Sequence, residues 1–448
     1  MSPLRDELFG HRALLVVCTW LGAVWWASAA EPWTLERALE QGLTGNPDAR
    51  LAQQRIVAAR AELDQANAAF WPRVQFQSSY TRTDNPMQVF GSILNQRAYS
   101  SNLDFNDVPD VDDLNIKGLV AVPLYAGGRN QAARRAAKAS TQAARFDSDA
   151  VRNTLAFEIA RAFYQMQKAR QFIRAADAGV TAFENNLSIG KKRFEGGSIL
   201  RTEVLDIEVR LAQAREDLIR ARNGQLLAER ALRNLLGIEQ GDFAVVDFAP
   251  EISAPESRDF SGRSEIAASQ SRQRAALDQV RAAKAGYLPR VSAFGSMDYD
   301  YGWRFERGGR SYTGGALLQW DLWDGRLTRA KVREAEANLE MAREEERKWR
   351  LALDLETEQA RLDLNTARER LKVTEQVVAQ ATESAEITRS RFAQGMALST
   401  QVIDAETALL AARVRRAEAE ADQRVAVAAL RRALGLPQLD ASVKPSNR

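Results

Sequence analysis

The chain has 448 residues, of which 62 are Lys or Arg and 59 are Asp or Glu, so its net charge is only +3. Charges of both signs are intermixed along helical patterns, which is typical of solvated helix surfaces and not of a nucleic-acid-binding face. No nucleic-acid partner is therefore expected. The chain contains one His and one Cys, and both lie near its start, at His11 and Cys18.

Residues 1–30 have the pattern of a signal peptide. Arg5 and Arg12 precede an apolar run from Ala13 to Ala27, and the small residues that suit cleavage lie at its end. The run is shorter than the roughly 20 residues that a membrane-spanning helix needs. The sequence therefore predicts a leader that is removed, and not a membrane anchor.

Removal of this segment would leave a chain without a thiol or an imidazole. Lipidation at Cys18 is disfavoured, because Val17 is bulky for the preceding position and more apolar sequence follows. The lack of His and Cys excludes Ser-His-Asp and Cys-His catalysis, as well as His-bearing zinc or copper sites. No separated pair of carboxylates stands out either. We therefore expect no catalytic residue, no metal site and no cofactor, and we do not expect an enzyme.

A first predicted unit covers residues 31–237. It opens with a helical pattern that is broken at Asn46-Pro47 and ended by Trp71-Pro72. Two stretches in which apolar and polar residues alternate then predict strands. Two long stretches rich in Ala, Arg, Gln and Glu predict helices. The predicted strands span residues 73–84 and 115–125 around a polar segment at 85–114, and the predicted helices span 129–193 and 204–235.

A second predicted unit at 263–437 has the same order of elements, and a connector at 238–262 with two Pro residues and no clear period separates the two units. The polar tail at 438–448 is expected to be disordered. In the second unit, strands are predicted at 290–303 and 311–323 around a short charged loop at 304–310, and long helices at 327–391 and 402–433.

The predicted hairpin tips are the clearest sign of an internal repeat. An Arg-Phe pair ends a long helical pattern at Arg193 and again at Arg391, 198 residues further on. Gly197 and Gly395 follow these pairs, and Gly readily adopts the left-handed backbone that ends a helix. Apolar residues in an alternating three-four spacing follow each tip and predict a heptad seam. Each copy is therefore expected to be the tip of a helical hairpin.

The predicted strands suit a membrane, because about ten tilted residues cross a bilayer. Aromatic residues lie at their ends, as in the aromatic belts of membrane proteins. Four strands leave two open edges, whose unpaired backbone groups would find no hydrogen-bond partner in lipid. The sequence therefore predicts a barrel that several chains share. The alternative is a small soluble sheet with these aromatic residues in its core. The tryptophans concerned are Trp71, Trp303, Trp320 and Trp323.

The predicted long helices extend about 100 Å at 1.5 Å per residue, so they must pack side by side and not around a compact core. A freestanding coiled-coil rod would explain their apolar seams but not the strands between them. The sequence therefore favours a fold that is mostly α with a membrane-embedded β-sheet.

The chain resembles the TolC-like outer-membrane efflux proteins from Thr34 to Pro437. The resemblance is carried by the two Arg-Phe-x-x-Gly tips, by the Pro-Arg-Val sequences that start two strands, and by the Gly-Arg sequences that follow two others. It implies a homotrimer with one shared twelve-stranded barrel in outer-membrane lipid, continued by a long α-helical barrel in the periplasm. It also implies a passive exit duct of a tripartite efflux or type I secretion system.

The resemblance further implies two protein partners, a periplasmic adaptor and an inner-membrane pump of the RND, ABC or MFS type. The alternative is a periplasmic coiled-coil structural or interaction protein without a pore. A cell-surface adhesin is a weaker option, because the loops between the predicted strands are short.

The resemblance also assigns candidate site residues. Adaptor docking is expected at the tips, and an acidic ring at the periplasmic entrance is expected near Glu383 and Glu386, with Arg389 one helical turn beyond. A plain solvated role remains open for both glutamates. Asp110, Asp112 and Asp113 either attract cations or belong to a solvated loop. The residues expected to dock the adaptor are Arg193, Phe194, Gly196, Gly197, Ser198, Arg391, Phe392, Gly395, Met396 and Ala397.

Overall fold

The computed structural model of the protein describes residues 32–104, 106–239, 243–246 and 252–439. The predicted signal peptide, nearly all of the polar tail and part of the connector lie outside the described residues. Eight α-helices, one 3-10 turn and four strands occur in the described ranges. They are α1 (Leu35–Gly45), α2 (Pro47–Ala68), β1 (Arg73–Thr83), α3 (Pro86–Asn95), β2 (Val111–Tyr125), α4 (Arg129–Glu195), α5 (Arg201–Leu236), α6 (Ser264–Lys284) with a 3-10 turn at Ala285–Tyr287, β3 (Arg290–Gly302), β4 (Arg307–Gln319), α7 (Leu327–Ala393) and α8 (Ser399–Ala433).

Two helices of 67 residues, α4 and α7, run most of the length of the molecule. At 1.5 Å per residue each is about 100 Å long. Helix α4 packs against α2, α5, α6 and α8, and α7 packs against α6 and α8. No helix within the described ranges is both long and apolar enough to cross a membrane.

The largest apolar core lies midway along the helices, where α1, α4, α5 and α8 meet. Phe163 and Met166 of α4 are completely buried there. Tyr164 lies between them in sequence, and burial raises the pKa of its hydroxyl to about 12. Asn46 connects this region to α5, because its side chain accepts a hydrogen bond from the amide of Asp48 (2.7 Å) and donates one to the carbonyl of Leu235 (2.9 Å).

A buried ion-pair network joins α6 to α7 and α8 in the same region. The guanidinium of Arg263, which is 3% exposed, lies 2.7 Å from the carboxylate of Glu265 and 3.6 Å from that of Glu356. It also donates a hydrogen bond to the carbonyl of Arg432 (2.6 Å). Burial alone would raise the pKa of Glu265, but the hydrogen bond and charge of Arg263 outweigh it and hold that pKa below its usual range.

The four strands form one antiparallel sheet in the order β1-β2-β3-β4. Because paired residues in antiparallel strands point to the same side, the register defines two faces. One row across the sheet is polar and contains Gln77, Lys117, Asp298 and Ser311. The next row points to the opposite face and contains Phe76, Gly118, Met297 and Tyr312. Within this second row, Phe76 and Met297 are more than two-thirds exposed, so the sheet carries an apolar face that the described residues leave uncovered.

Exposed aromatic residues mark both ends of this apolar face. At one end Trp303 contacts Tyr301 and Tyr80 edge to face, with ring centroids 5.4 and 5.9 Å apart. At the other end Trp71 and Trp323 are largely exposed. This arrangement is typical of the aromatic belts of membrane β-sheets.

The fourth strand lies elsewhere than predicted. It spans 307–319 and not 311–323, because β3 and β4 pair continuously from Gly302 and Arg307 to Arg290 and Gln319. The expected charged loop at 304–310 is therefore reduced to a turn of four residues, 303–306, and Trp320 and Trp323 lie beyond the strand. Strand β2 also begins earlier than predicted, at Val111.

The segment at 85–114, which was expected to be only a polar connection, contains helix α3. The side-chain oxygen of Asn85 accepts hydrogen bonds from the amides of Met87 and Gln88 and so caps the helix, and Pro86 occupies its first turn. Val89 and Ile93, four residues apart, are completely buried on one side of it. A cap followed by apolar residues at this spacing is the signal that the sequence offered for this helix.

Candidate functional site

The two hairpin tips have closely similar backbones. At the first tip, the amide of Ser198 donates to the carbonyl of Arg193 (2.8 Å), and Gly197 is left-handed with φ of 69°. At the second tip, the amide of Met396 donates to the carbonyl of Arg391 (2.8 Å), and Gly395 has φ of 82°. These are helix ends of the Schellman type, in which a left-handed residue lets the chain reverse and satisfies the last carbonyls.

The helices that follow the tips also begin alike. The carboxylate of Glu203 accepts a hydrogen bond from the amide of Leu200 (3.0 Å), and the side chain of Gln401 accepts one from the amide of Leu398 (3.2 Å). Each of these bonds satisfies an amide group that has no partner inside the first turn of the helix. The exposed turns are thus fixed by hydrogen bonds on both sides.

The side chains of the two tips differ in their surroundings. The guanidinium of Arg193 lies over the ring of Phe392, 4.9 Å from its centroid, and donates a hydrogen bond to the carbonyl of Phe392 (3.1 Å). Phe392 is completely buried, whereas Phe194, at the equivalent position of the first tip, is 40% exposed. The hydroxyl of Ser399 also donates to the carboxylate of Glu203 (3.3 Å). The first tip therefore closes over the second.

The expected docking residues differ in burial, and they fall into three groups. Phe392 and Ala397 belong to the apolar cluster between the tips and cannot meet a partner directly. Arg193 is partly buried by its contacts with the second tip. The remaining residues form an exposed surface that joins both turns: Phe194, Gly196, Gly197, Ser198, Arg391, Gly395 and Met396.

Of the expected entrance residues, Glu383 and Glu386 lie exposed on α7. Arg389 does not share their environment, because its guanidinium lies 2.7 Å from the carboxylate of Glu406 on α8. That carboxylate is 3% exposed, and it also accepts a hydrogen bond from the side chain of Asn186 on α4 (3.4 Å). Arg389 is therefore part of an internal connection between three helices.

Glu406 and Asn186 are the residues that the sequence analysis missed. The 198-residue spacing could have revealed the ion pair, because Arg389 and Glu406 occupy the positions equivalent to Lys191 and Glu208. Lys191 and Glu208 also pair, at 3.4 Å, but both are at least one-third exposed. Each hairpin thus has a cation and a carboxylate facing each other about one turn before its tip, and only in the second pair is the carboxylate buried.

The aspartates at the opposite end of the molecule are engaged in contacts within the chain. The carboxylate of Asp112 accepts hydrogen bonds from the amides of Trp303 (2.8 Å) and Arg304 (2.9 Å). Asp110 pairs with Arg82 at 2.6 Å, and this hydrogen bond holds its pKa below the usual range. Asp113 accepts a hydrogen bond from Gln96 (2.9 Å). Among the described residues, no group of acidic residues, His or Cys has the arrangement of a metal site.

The sheet with one apolar and one polar face, the long paired helices and the tips at the far end define an outer-membrane channel protein of the efflux type. The sequence model of the outer membrane efflux protein family matches residues 38–238 and 260–436. The chain belongs to this family.

Curated relatives agree with this membership. The pyoverdine export outer membrane protein OpmQ of Pseudomonas putida is 27% identical over 429 residues, which cover 92% of this chain and 87% of that protein. The outer membrane protein TolC of Vibrio cholerae is 26% identical over 306 residues, which cover 64% of this chain and 68% of that protein.

Solved structures share the fold. The outer membrane protein VceC of Vibrio cholerae superposes with a TM-score of 0.76 at 21% identity, covering 90% of this chain and 96% of that chain. The CmeC outer membrane channel of Campylobacter jejuni gives a TM-score of 0.76 at 16% identity, covering 98% of this chain and 99% of that chain. The protein is thus an outer-membrane channel component of an efflux or secretion system, with the mostly helical fold and membrane sheet expected from its sequence.

Proposed function

We propose that three copies of the chain form one passive exit duct. The observation that supports this most directly is the sheet, in which β1 and β4 are edges without a partner strand among the described residues. A sheet with an exposed apolar face is suited to lipid, but lipid does not tolerate open edges. Four strands are too few to close alone, so β1 of one copy pairs with β4 of the next in a twelve-stranded barrel.

The helices continue this barrel on the other side of the membrane. Each chain contributes two structural repeats, residues 31–237 and 263–437, and each repeat contributes one long hairpin. Because the tips lie about 100 Å of helix away from the sheet, they reach deep into the periplasm. The aromatic ends of the sheet then lie at the two surfaces of the outer membrane.

The exposed tip surface is the docking site for a periplasmic adaptor. Hydrogen bonds fix both glycine turns, so docking costs little ordering of the chain. Phe194 and Met396 provide apolar contacts beside the exposed backbone of the turns. Arg193 and Phe392 act indirectly, since they hold the two tips together as one surface.

The entrance of the duct lies just above the tips. Glu383 and Glu386 of three copies there form a ring of carboxylates, which favours cations as charged rings in channels do. The duct itself performs no reaction and is not an enzyme. An inner-membrane pump of the RND, ABC or MFS type supplies the energy and selects the cargo. The names of the relatives support a duct whose cargo is selected by the pump, since they refer to pyoverdine export, cation efflux and protease secretion.

A periplasmic coiled-coil protein without a pore is the competing proposal. The apolar face of the sheet counts against it, because exposed side chains such as Tyr312 and Met297 would lie in water. Electron microscopy and planar-bilayer recording of the detergent-purified protein distinguish the two. A threefold hollow cylinder with measurable conductance is expected. A thin rod that is extracted without detergent and gives no conductance would overturn the duct.

A further inference from the structure

Between the central core and the tips, four helices of the chain form a row. Helix α5 packs mainly against α4, α4 packs against α8, and α8 packs against α7. The row therefore has α5 at one end and α7 at the other. Each of these two end helices has a flank that no helix within the described ranges covers along its length.

The uncovered flank of α7 carries an apolar stripe, here called the α7 stripe. At 3.6 residues per turn its members fall within about 80° of one another around the helix. The buried residues of the same part of α7, such as Leu364 and Ala385, lie about 140° away on average. The stripe thus faces away from α8. Its members, which are 38–68% exposed, are Leu355, Leu362, Val373, Val377 and Ile387.

The uncovered flank of α5 carries a similar stripe, here called the α5 stripe. Its members fall within about 100° of one another, and the buried residues of α5, such as Leu211 and Leu218, again lie about 140° away on average. This stripe faces away from α4. Its members, which are 43–72% exposed, are Leu205, Val209, Ile219, Leu226 and Leu227.

The two inner helices of the row lack such a stripe. Helices α4 and α8 lie entirely within the described ranges, and Phe194 at the tip is the one large apolar side chain on them that is strongly exposed. Both of these helices have neighbours on two sides. Exposed apolar surface is therefore concentrated on the two helices that lack a second neighbour, as expected if another protein surface covers them.

The two flanks of the row continue the two open edges of the sheet. Four residues separate α2 from the edge strand β1, and seven residues separate the edge strand β4 from α7. Asn46, just before α2, donates a hydrogen bond to the carbonyl of Leu235 near the end of α5 (2.9 Å). Helices α2 and α5 therefore follow each other on the same flank. Pairing of β1 with β4 of the next copy brings this flank beside α7 of that copy.

We propose that the helical part of the duct closes by packing of the α7 stripe of one copy along the α5 stripe of the next. This inference rests on the proposed trimer. The occupant of each stripe is thus a second copy of the chain. Lipid does not cover the stripes, because they lie between the core and the tips, away from the sheet.

The position of the tips determines how the two stripes align. Within one chain the tips lie level, since the guanidinium of Arg193 donates a hydrogen bond to the carbonyl of Phe392 (3.1 Å). Threefold symmetry about an axis along the helices keeps the tips of all copies level. Helix α5 starts at the tips and α7 ends there. The two helices therefore run antiparallel across the contact, with these ends side by side.

Counting from these ends gives the expected pairs. Val209 is the eighth residue after the start of α5, and Ile387 is the sixth before the end of α7. Ile219 is the eighteenth after the start of α5, and Val377 is the sixteenth before the end of α7. Both pairs differ by the same two residues, or about 3 Å along the helices. Val209 is therefore expected beside Ile387 of the next copy, and Ile219 beside Val377.

Cysteine crosslinking tests this alignment in the full chain. In a background in which Cys18→Ser removes the native thiol, Val377→Cys with Ile219→Cys is expected to give linked dimers and trimers with a short bismaleimide. Val377→Cys with Leu205→Cys is the matched control, because Leu205 lies on the same stripe but about 21 Å nearer the tips. This control is expected to give no link.

Mixed trimers show whether the link joins two copies. When one tagged chain carries only Val377→Cys and a differently tagged chain carries only Ile219→Cys, the linked product is expected to contain both tags. Each chain alone is expected to give none, since threefold symmetry places identical residues at separate contacts. Electron microscopy of each sample shows whether the threefold particle is intact.

Exchange of charge provides a second readout. Val377→Glu and Ile219→Lys are each expected to lower the temperature at which the trimer dissociates, because each places a charge without a partner in an apolar contact. The combined variant is expected to recover about half of the loss or more, since the two charges then face each other. Both positions are exposed in the single chain, so its helix content is expected to stay unchanged.

The outcomes separate this contact from the duct. An intact threefold particle in which Val377→Cys with Ile219→Cys gives no link would overturn the contact and leave the duct standing, and the stripes would then belong to another partner such as the adaptor. Equal linking of the Leu205→Cys control, or a combined charge variant weaker than both single variants, would also overturn it. A parent protein that forms no trimer would overturn both proposals.

Discussion

Arg389 and Lys191 occupy equivalent places before the two tips but differ in what surrounds them. Arg389 faces a carboxylate that is 3% exposed, whereas the carboxylate that faces Lys191 is 35% exposed. An exposed ion pair contributes little, because water and salt screen it. Removal of one partner of a buried pair leaves a charge without compensation. The two ion pairs consist of corresponding residue types, but they therefore contribute differently to the stability of their hairpins.

Arg389→Ala is expected to destabilise the end of the second hairpin by about 2–3 kcal/mol, somewhat less than for a fully buried pair because Arg389 is itself partly solvated. The reason is that Glu406 would be left buried with only Asn186 as a partner. Hydrogen exchange by mass spectrometry measures the local opening free energy of the helix ends.

Lys191→Ala is the matched control, and it is expected to change the opening free energy of the first hairpin by less than about 1 kcal/mol. Equal effects of the two substitutions would contradict the difference in burial. No effect of Arg389→Ala would show that Glu406 finds another partner.

At the scale of elements, the sequence specified the long helices better than the ends of the strands. Residues 129–193 and 327–391 were predicted as helices, and α4 and α7 extend two residues further. Long stretches of good helix formers without Pro leave few alternatives. The boundary between β4 and its turn was predicted four residues too late, because Gly308 and Gly309 indicate a loop in sequence but pair with β3 in the structure. The missing side chain of Gly309 leaves room for the end of α3, and no local sequence pattern indicates this contact.

The burial of the individual tip residues could not be predicted from the sequence either. The two Arg-Phe pairs are identical, yet Phe392 is buried and Phe194 is exposed. Which tip closes over the other depends on how α4 packs against α8, a contact between distant parts of the chain. Local pattern could therefore predict the turns but not the surface that they present.

The network of Arg263, Glu265 and Glu356, which joins α6 to α7 and α8, predicts a dependence of stability on pH. The pKa of Glu265 is lowered in the folded chain, so the unfolded chain binds a proton at higher pH than the folded chain does. The stabilisation is then complete above the unfolded pKa of Glu, about 4.3, and is lost as the pH falls through the lower folded value.

The unfolding temperature of the wild type is therefore expected to fall between about pH 5 and pH 3. Glu265→Gln is expected to lower the unfolding temperature at pH 7 and to flatten its decrease on acidification. Glu340→Gln is the control, since this residue pairs only at the exposed surface of α7. A pH profile of Glu265→Gln that parallels the wild type would show that other carboxylates dominate acid sensitivity.

At the scale of the whole molecule, the two ends of the duct carry different chemistry. Exposed carboxylates at Glu383 and Glu386 lie near the tips, and the exposed apolar face of the sheet lies at the other end. In the proposed trimer these carboxylates form a ring, and such a ring attracts cations. We therefore expect this ring to determine the ion selectivity of the proposed duct.

Glu383→Gln with Glu386→Gln is expected to lower the ratio of cation to anion permeability roughly twofold or more, because a threefold ring loses six negative charges while the lining keeps its shape. Reversal potentials across a planar bilayer with a salt gradient measure this ratio. The effect should shrink at high salt, since the Debye length falls from about 10 Å at 0.1 M to about 3 Å at 1 M.

Glu340→Gln with Glu344→Gln provides the matched control, because it removes the same number of charges from exposed positions further along α7. It is expected to change the ratio little. An unchanged ratio in an intact trimer of the Glu383 and Glu386 variant would place the selective part of the duct elsewhere.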